Sequence, residues 1–312
     1  MSAARHVAVV LLILLAAVPA VANAADMGFA ISLATRIMIY AIAALSLDLI
    51  LGYGAMVSFG HAAFVGIGAY AVGIASAHDV WDATLTFPIA IAAAGLFALL
   101  TGAISLRTRG VYFIMITLAF GQMAYFTASS LSDYGGDDGL TMWGRSEVFG
   151  ASPFEDDTVF YYVVLGCLAA CFLFARALVG SRFGRVIAGV RESRLRMQAV
   201  GFNPYAYQLV AYVIAGMMAG LAGALMANHS EFVSPSTMSW QRSGDLIIMV
   251  VLGGMGTLHG AVLGAIAYLM LEEVLSHFTE HWRVIFGPML ILIVLYARGG
   301  LGRLIGGGRR DG

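Results

Sequence analysis

This sequence predicts an all-α fold: a polytopic transmembrane helical bundle of about nine or ten membrane segments. Three observations carry the prediction. Of 312 residues, 60% are hydrophobic and 11% are charged, where soluble domains carry roughly a quarter charged. Apolar runs of about 20 residues recur, each long enough to cross a ~30 Å hydrocarbon core as a helix. Arginines collect in alternate loops between those runs, the pattern of a chain that crosses a membrane repeatedly.

Composition also excludes function classes. The formal net charge is −1, so no bulk field calls for nucleic acid, and none is expected as a partner. All 17 basic residues are arginine. A Walker-type phosphate loop needs a lysine, so this chain is not a P-loop ATPase by itself, and it has no lysine for a Schiff base. Signatures such as G-x-S-x-G and H-E-x-x-H are missing, and neither a cofactor nor a metal site is expected. Cys167 and Cys171 fall in one apolar run at helical spacing and read as small packing residues.

The elements follow in order. Residues 1–25 join a basic start (Arg5) and an apolar run to Ala22-Asn23-Ala24, which fits a signal peptide or an uncleaved first span. Both readings place Ala25 outside. Further spans are predicted at 29–51, 57–77, 84–105, 111–131, 158–179 and 206–227. A run from Leu246 to Leu275 is too long for one span and is interrupted by glycines between Gly253 and Gly260. It reads as two short or partly re-entrant segments. A last span covers 284–297. Arg107 and Arg109, then Arg182 to Arg196, then Arg298 to Arg310 mark the cytoplasmic side, with both termini inside. The loop 132–157 carries seven acids against Arg145 and faces out.

Charges inside spans are costly and rare. Arg36 lies about two turns inside the second span, and Asp48, Asp245, Glu272 and Glu273 lie near span ends; none falls at the midplane, and snorkelling or pairing near an interface is expected of all five. Small residues at four-residue spacing, such as Gly216 and Gly220, predict close helix packing. His61 and His259 are each followed by Ala at +2, Gly at +5, Ala at +8 and Tyr at +9, which reads as an ancient repeat or as chance.

The polar stretch 180–207 stands out between two apolar runs. It predicts a short helix from Val186 to Val200, with a left-handed cap at Gly201 and Asn203-Pro204 starting the next helix. Glu192 and Arg196 fall at i, i+4, and Arg191, Arg194 and Gln198 share one helical face. Polar residues of neighbouring spans, Ser58, His61, Tyr112, Thr117 and Gln122, are candidates to line a pathway or to bridge helices.

Several motifs, in order, carry a resemblance. Leu47-Asp48-Leu49-Ile50-Leu51-Gly52-Tyr53-Gly54 leads into Val57-Ser58-Phe59-Gly60-His61-Ala62 and Gly66-Ile67-Gly68-Ala69-Tyr70. Arg107-Thr108-Arg109-Gly110-Val111-Tyr112-Phe113 and the outer Gly135-Gly136-Asp137-Asp138-Gly139-Leu140-Thr141 follow. Then come Phe183-Gly184-Arg185, Arg191-Glu192, Gly201 and Val250-Val251-Leu252-Gly253-Gly254-Met255-Gly256-Thr257. In these the chain resembles the LivM-type permeases of branched-chain amino acid ATP-binding cassette importers, whose relatives carry urea, amides and other amino acids. Asp48 stands where that family usually has asparagine, and 191–200 is richer in arginine than usual.

The resemblance implies a type II-like permease domain over 26–305, a cytoplasmic coupling loop at 180–205, and a cytoplasmic tail at 306–312. It implies two cytoplasmic ATPase subunits, a homologous second permease, a periplasmic binding protein and a bacterial inner (plasma) membrane as partners and setting. The ATPase contact would be Arg191, Glu192, Arg194 and Gly201. The alternative reading is a stand-alone ion-coupled carrier using Asp48 or Glu272.

Overall fold

The computed structural model describes residues 2–24, 28–278, 284–289 and 300. The last predicted span beyond 289, the arginines from Arg298 to Arg310 and the tail 306–312 lie outside the described residues. The chain folds as helices α1 (Ser2–Ala24), α2 (Gly28–Leu51), α3 (His61–Ala77), α4 (Ala83–Ser105), α5 (Val111–Ser130) and α6 (Asp157–Gly180). There follow α7 (Arg182–Glu192), α8 (Arg194–Ala199), α9 (Pro204–Ser230), α10 (Trp240–Gly253) and α11 (Leu258–Phe278). Residues 284–289 are also helical. Six of these helices (α2, α4, α5, α6, α9 and α11) are long and apolar enough to cross a membrane.

Helices dominate for a simple reason: in hydrocarbon each backbone N–H and C=O must find its partner within the chain. The centre is α2, buried along most of its length from Ile37 to Leu51. Helices α9, α11, α6 and α10 surround it, and α3 and α4 pack on the far side of α9. Where α9 meets α3 and α4, side chains shrink. A Cβ built on Gly223 would strike the Val65 carbonyl of α3, and one on Gly220 would lie 3.0 Å from the Ala90 carbonyl oxygen of α4. Close backbone approach, rather than hydrophobic driving force, holds such helices together in lipid.

Two boundaries differ from the sequence reading. Helix α3 begins at His61, not 57: residues 57–60 form an irregular strap whose Phe59 N–H donates to Thr117 Oγ1 of α5 (3.3 Å). A glycine at 60 lets that strap lie directly against the Thr117 carbonyl. The long apolar run does split, at Gly254 to Thr257, with Gly254 (φ +108°) and Gly256 (φ +76°) in conformations that favour glycine. Helix α10 has 14 residues, about 21 Å at 1.5 Å each, too short to span the core alone.

The connection α4–α5 and the α6–α9 segment lie at one end of the bundle, the arginine face; the loop 131–156 lies at the other. There, Leu140–Thr141 and Phe232–Val233 form a two-residue antiparallel ribbon, a minor addition to an all-α fold. Arg145 clamps this end. It reaches Asp157 (2.7 Å), Glu231 (3.3 Å) and the Phe154 carbonyl (2.7 Å), and its guanidinium sits 5.1 Å over the Phe160 ring. The in-span charges pair as expected of costly groups: Arg36 with Glu272 and Arg242 with Asp245, each at 3.6 Å.

Gly223→Ala should lower the unfolding temperature in detergent, at a cost of about 1–3 kcal/mol, because the new methyl meets backbone that cannot yield. Gly166→Ala in α6, where a Cβ meets nothing within 4 Å, should be neutral or stabilising. Equal responses of the two variants would contradict the packing account.

Candidate functional site

The stretch 180–207 is built as an elbow of two helices, not one. Ser193 adopts extended backbone (φ −158°, ψ 105°) and its hydroxyl caps Arg196 N–H, so the predicted helix 186–200 breaks there. A serine that can satisfy the next helix start makes the break inexpensive. Glu192 and Arg196 therefore fall on different helices, and among the described residues they form no ion pair. Arg191, Arg194 and Gln198 do not share one face for the same reason. The flanking caps are as the sequence implies: Gly201 has φ +94°, and the Asn203 side chain accepts from Ala206 N–H with Pro204 at the first turn.

Helix α7 buries Val186, Ile187 and Val190 against the bundle. Helix α8 buries nothing; Leu195 and Val200 are 77% and 72% exposed. The elbow is nevertheless tied to the bundle by several contacts. The Met197 side chain folds over Gly189 of α7, Phe183 stacks on Tyr207 at 5.5 Å, and the Tyr205 hydroxyl donates to the Ala103 carbonyl at 2.8 Å.

Arg191 turns inward from this elbow. Its Nη1 donates to the Gly52 carbonyl, at the end of α2. One turn earlier, Asp48 Oδ1 accepts the Gly256 N–H at 2.8 Å, an amide freed where α10 has ended. The Tyr53 hydroxyl reaches the Leu258 backbone. Gly52 is fitted to this junction: a Cβ there would collide with Asp48 Oδ1 and with Gly256 backbone. Asp48 is fully buried, and Arg191 is the opposite charge acting on it. The elbow, the end of α2 and the α10–α11 break thus meet at one point.

The other expected residues separate. Arg194 starts α8 and donates to Gln208 Oε1 of α9 (3.2 Å), while Glu192 ends α7 exposed. His61 is buried with Nε2 2.8 Å from Ser46 Oγ; that hydroxyl already donates to the Ala43 carbonyl, so the ring nitrogen donates to it. Thr117 bridges to Phe59 as described, and Ser58 is buried. Tyr112 is 74% exposed on α5 and Gln122 half-buried, so these five do not line one common surface within this chain. Sequence reasoning missed Gly52 as the acceptor for Arg191, and Leu195 and Val200 as outward apolar knobs. The signal for the knobs was present in two apolar residues on a polar stretch.

A multi-pass membrane protein with a short, unburied helix at one face is the class this fold defines. The particular family follows from comparison with known proteins. The family described as "Branched-chain amino acid transport system / permease component" matches residues 29–295, and the chain belongs to it. It is 28% identical over 294 residues to the high-affinity branched-chain amino acid transport system permease protein LivM of Escherichia coli K12, covering 87% of this chain and 69% of that one. It is 28% identical to LivH of the same system over 160 residues, 51% of each chain. The autoinducer 2 import system permease protein LsrC of Photorhabdus luminescens matches at 28% over 43% of this chain and 41% of that protein. No solved structure matches it. The chain is a LivM-type permease, a subunit of an ATP-binding cassette importer. That corrects the alternative of a stand-alone ion-coupled carrier: Asp48 holds a backbone amide and Glu272 pairs with Arg36, consistent with structural duties.

Asp48→Asn keeps an acceptor for the Gly256 amide and should shift stability by no more than about 1 kcal/mol, whereas Asp48→Leu leaves that buried amide unpaired and should cost about 1–3 kcal/mol. Thermal unfolding of the detergent-solubilised chain checks this; an Asn variant as damaged as the Leu variant would mean the charge, not the hydrogen bond, holds the junction.

Proposed function

We propose that this chain is half of a translocation pathway for a branched-chain amino acid or a related small amino acid or amide. A homologous second permease supplies the other half. Two cytoplasmic ATPase subunits hydrolyse ATP at the arginine face, and a periplasmic binding protein delivers substrate to the opposite, acidic face. The membrane is the bacterial inner membrane, with both termini and the arginine loops in the cytoplasm; Arg107, Arg109 and the five arginines of 182–196 support that orientation. The 26–305 region acts as the permease domain, with 180–205 as its coupling loop.

One observation carries the mechanism: Arg191 ties the exposed elbow to Gly52, beside the Asp48–Gly256 contact. A partner that pushes on the elbow through Leu195, Val200 and Glu192 moves α7, and α7 moves the end of α2 and the α10–α11 break with it. Short helical segments that end within the bundle are where a pathway can open, since their backbone groups already face protein rather than lipid. Ser58, His61, Tyr112, Thr117 and Gln122 stay candidates for that pathway, reached once the second permease is in place.

Reconstituted with its partners, Glu192→Arg should retain helical content yet lose most uptake while ATP hydrolysis persists. Gly201→Val should do the same, because φ +94° strains any side chain by about 1–3 kcal/mol although a Cβ there meets no neighbour. Normal uptake in both variants would remove the coupling assignment.

A further inference from the structure

Beside the elbow lies a cavity of about 230 Å³ that shares Arg191 and Arg194 with the elbow but has no ligand assigned to it above. Its polar wall is Arg109, Arg191, Arg194, Thr108 and Gln208; its apolar wall includes Met56, Val57, Leu106, Phe113 and Ile114. No carboxylate lines it. Among the described residues, neither Arg109 nor Arg194 belongs to an ion pair, and Arg194 Nε is buried without a hydrogen-bond partner. Burial, and then the nearby Arg109 guanidinium, pull the Arg194 pKa below its ordinary value, so the two cations repel as they stand.

A second feature points into the same space. Gly110, on the cavity wall, is the N-cap of the 20-residue helix α5, and no side chain caps that end. The first turn of α5 carries no acid. Uncapped amides at a helix start attract anions through free N–H groups and the helix dipole. Guanidinium forks add geometry suited to phosphate oxygens. A zwitterionic amino acid does not match this wall, because its ammonium would face arginines with no acid to receive it.

Outward apolar residues flank the rim of the cavity: Val111 (67% exposed) and Met115 (64%) on α5, and Ile104 (54%) and Leu100 (58%) on α4. We propose that the cavity binds the phosphate headgroup of an anionic phospholipid, with Arg109, Arg194 and the α5 N-terminus on the phosphate and the acyl chains lying along α4 and α5. Basic pockets between helices at a membrane face suit such headgroups. The lipid would brace α8 and the α4–α5 turn against each other, stabilising the elbow.

The test uses the purified chain in nanodiscs. Its unfolding temperature is measured in phosphatidylcholine, in phosphatidylcholine with added phosphatidylglycerol, and in phosphatidylcholine with inorganic phosphate. Phosphatidylglycerol alone should raise the unfolding temperature. Arg109→Gln, which removes an exposed side chain and no ion pair, should fold normally and need about tenfold more phosphatidylglycerol for the same gain. Arg194→Gln should behave likewise, and phosphatidylglycerol retained in native mass spectra should fall in both variants. Equal stabilisation in all three mixtures, an equal gain from inorganic phosphate, or an undiminished phosphatidylglycerol response in Arg109→Gln would each overturn the proposal.

Discussion

The hydrogen bond from the Gly256 amide to Asp48 is the contact on which the arginine face of this structure depends. A helix that stops inside a bundle leaves amides and carbonyls that lipid cannot satisfy. Here α10 stops at Gly253, and Asp48 of α2 takes up the amide that follows the break. The carbonyl of Gly52, at the end of α2, is in turn met by Arg191. Two helix ends thus complete each other, with one arginine from outside the bundle closing the set. Asp48 meets the need for an acceptor at a buried site, and the Arg191 guanidinium lies near enough to act on it.

The rest of the fold keeps this junction in register by two different means. Toward its centre, α9 lies against α3 and α4 through glycine and alanine, so the spacing of those helices is set by backbone contact. At the opposite end, one half-buried arginine gathers α6, the outer loop and the end of α9 through Asp157, Phe154 and Glu231. Packing of the first kind resists deformation, and charge pairs near water exchange more readily. The outer loop is therefore the end at which the proposed periplasmic binding protein would dock, and the glycine seam is the part suited to staying fixed.

Much of this was legible in the amino-acid sequence. Most span positions among the described residues, the split of the 246–275 run, the Gly201 cap and the Asn203-Pro204 start follow from hydropathy and local chemistry, which act over a few residues. The family was legible because its motifs are ordered along the chain. What was not legible depends on contacts far apart in sequence. The break at Ser193 is hidden because the apolar pattern runs through it, and only the extended backbone reveals it. Residues 57–60 look like the start of α3, yet they form a strap whose Phe59 amide meets Thr117, some 58 positions on. Arg191 looks like a solvated charge in a basic loop, and its acceptor lies 139 positions earlier. Local rules cannot reach such partners.

The central claim is that the elbow and the α10–α11 break move as one body when the partner ATPases act. Double electron–electron resonance on the assembled transporter tests it most directly. Spin labels go on Leu195→Cys and Met255→Cys, and separately on Trp143→Cys and Met255→Cys, with Cys167 and Cys171 replaced; Leu195, Met255 and Trp143 are all exposed. On trapping the ATP-bound state, the Leu195–Met255 distance should stay constant while the Trp143–Met255 distance changes. A Leu195–Met255 distance that shifts on ATP binding would contradict the account.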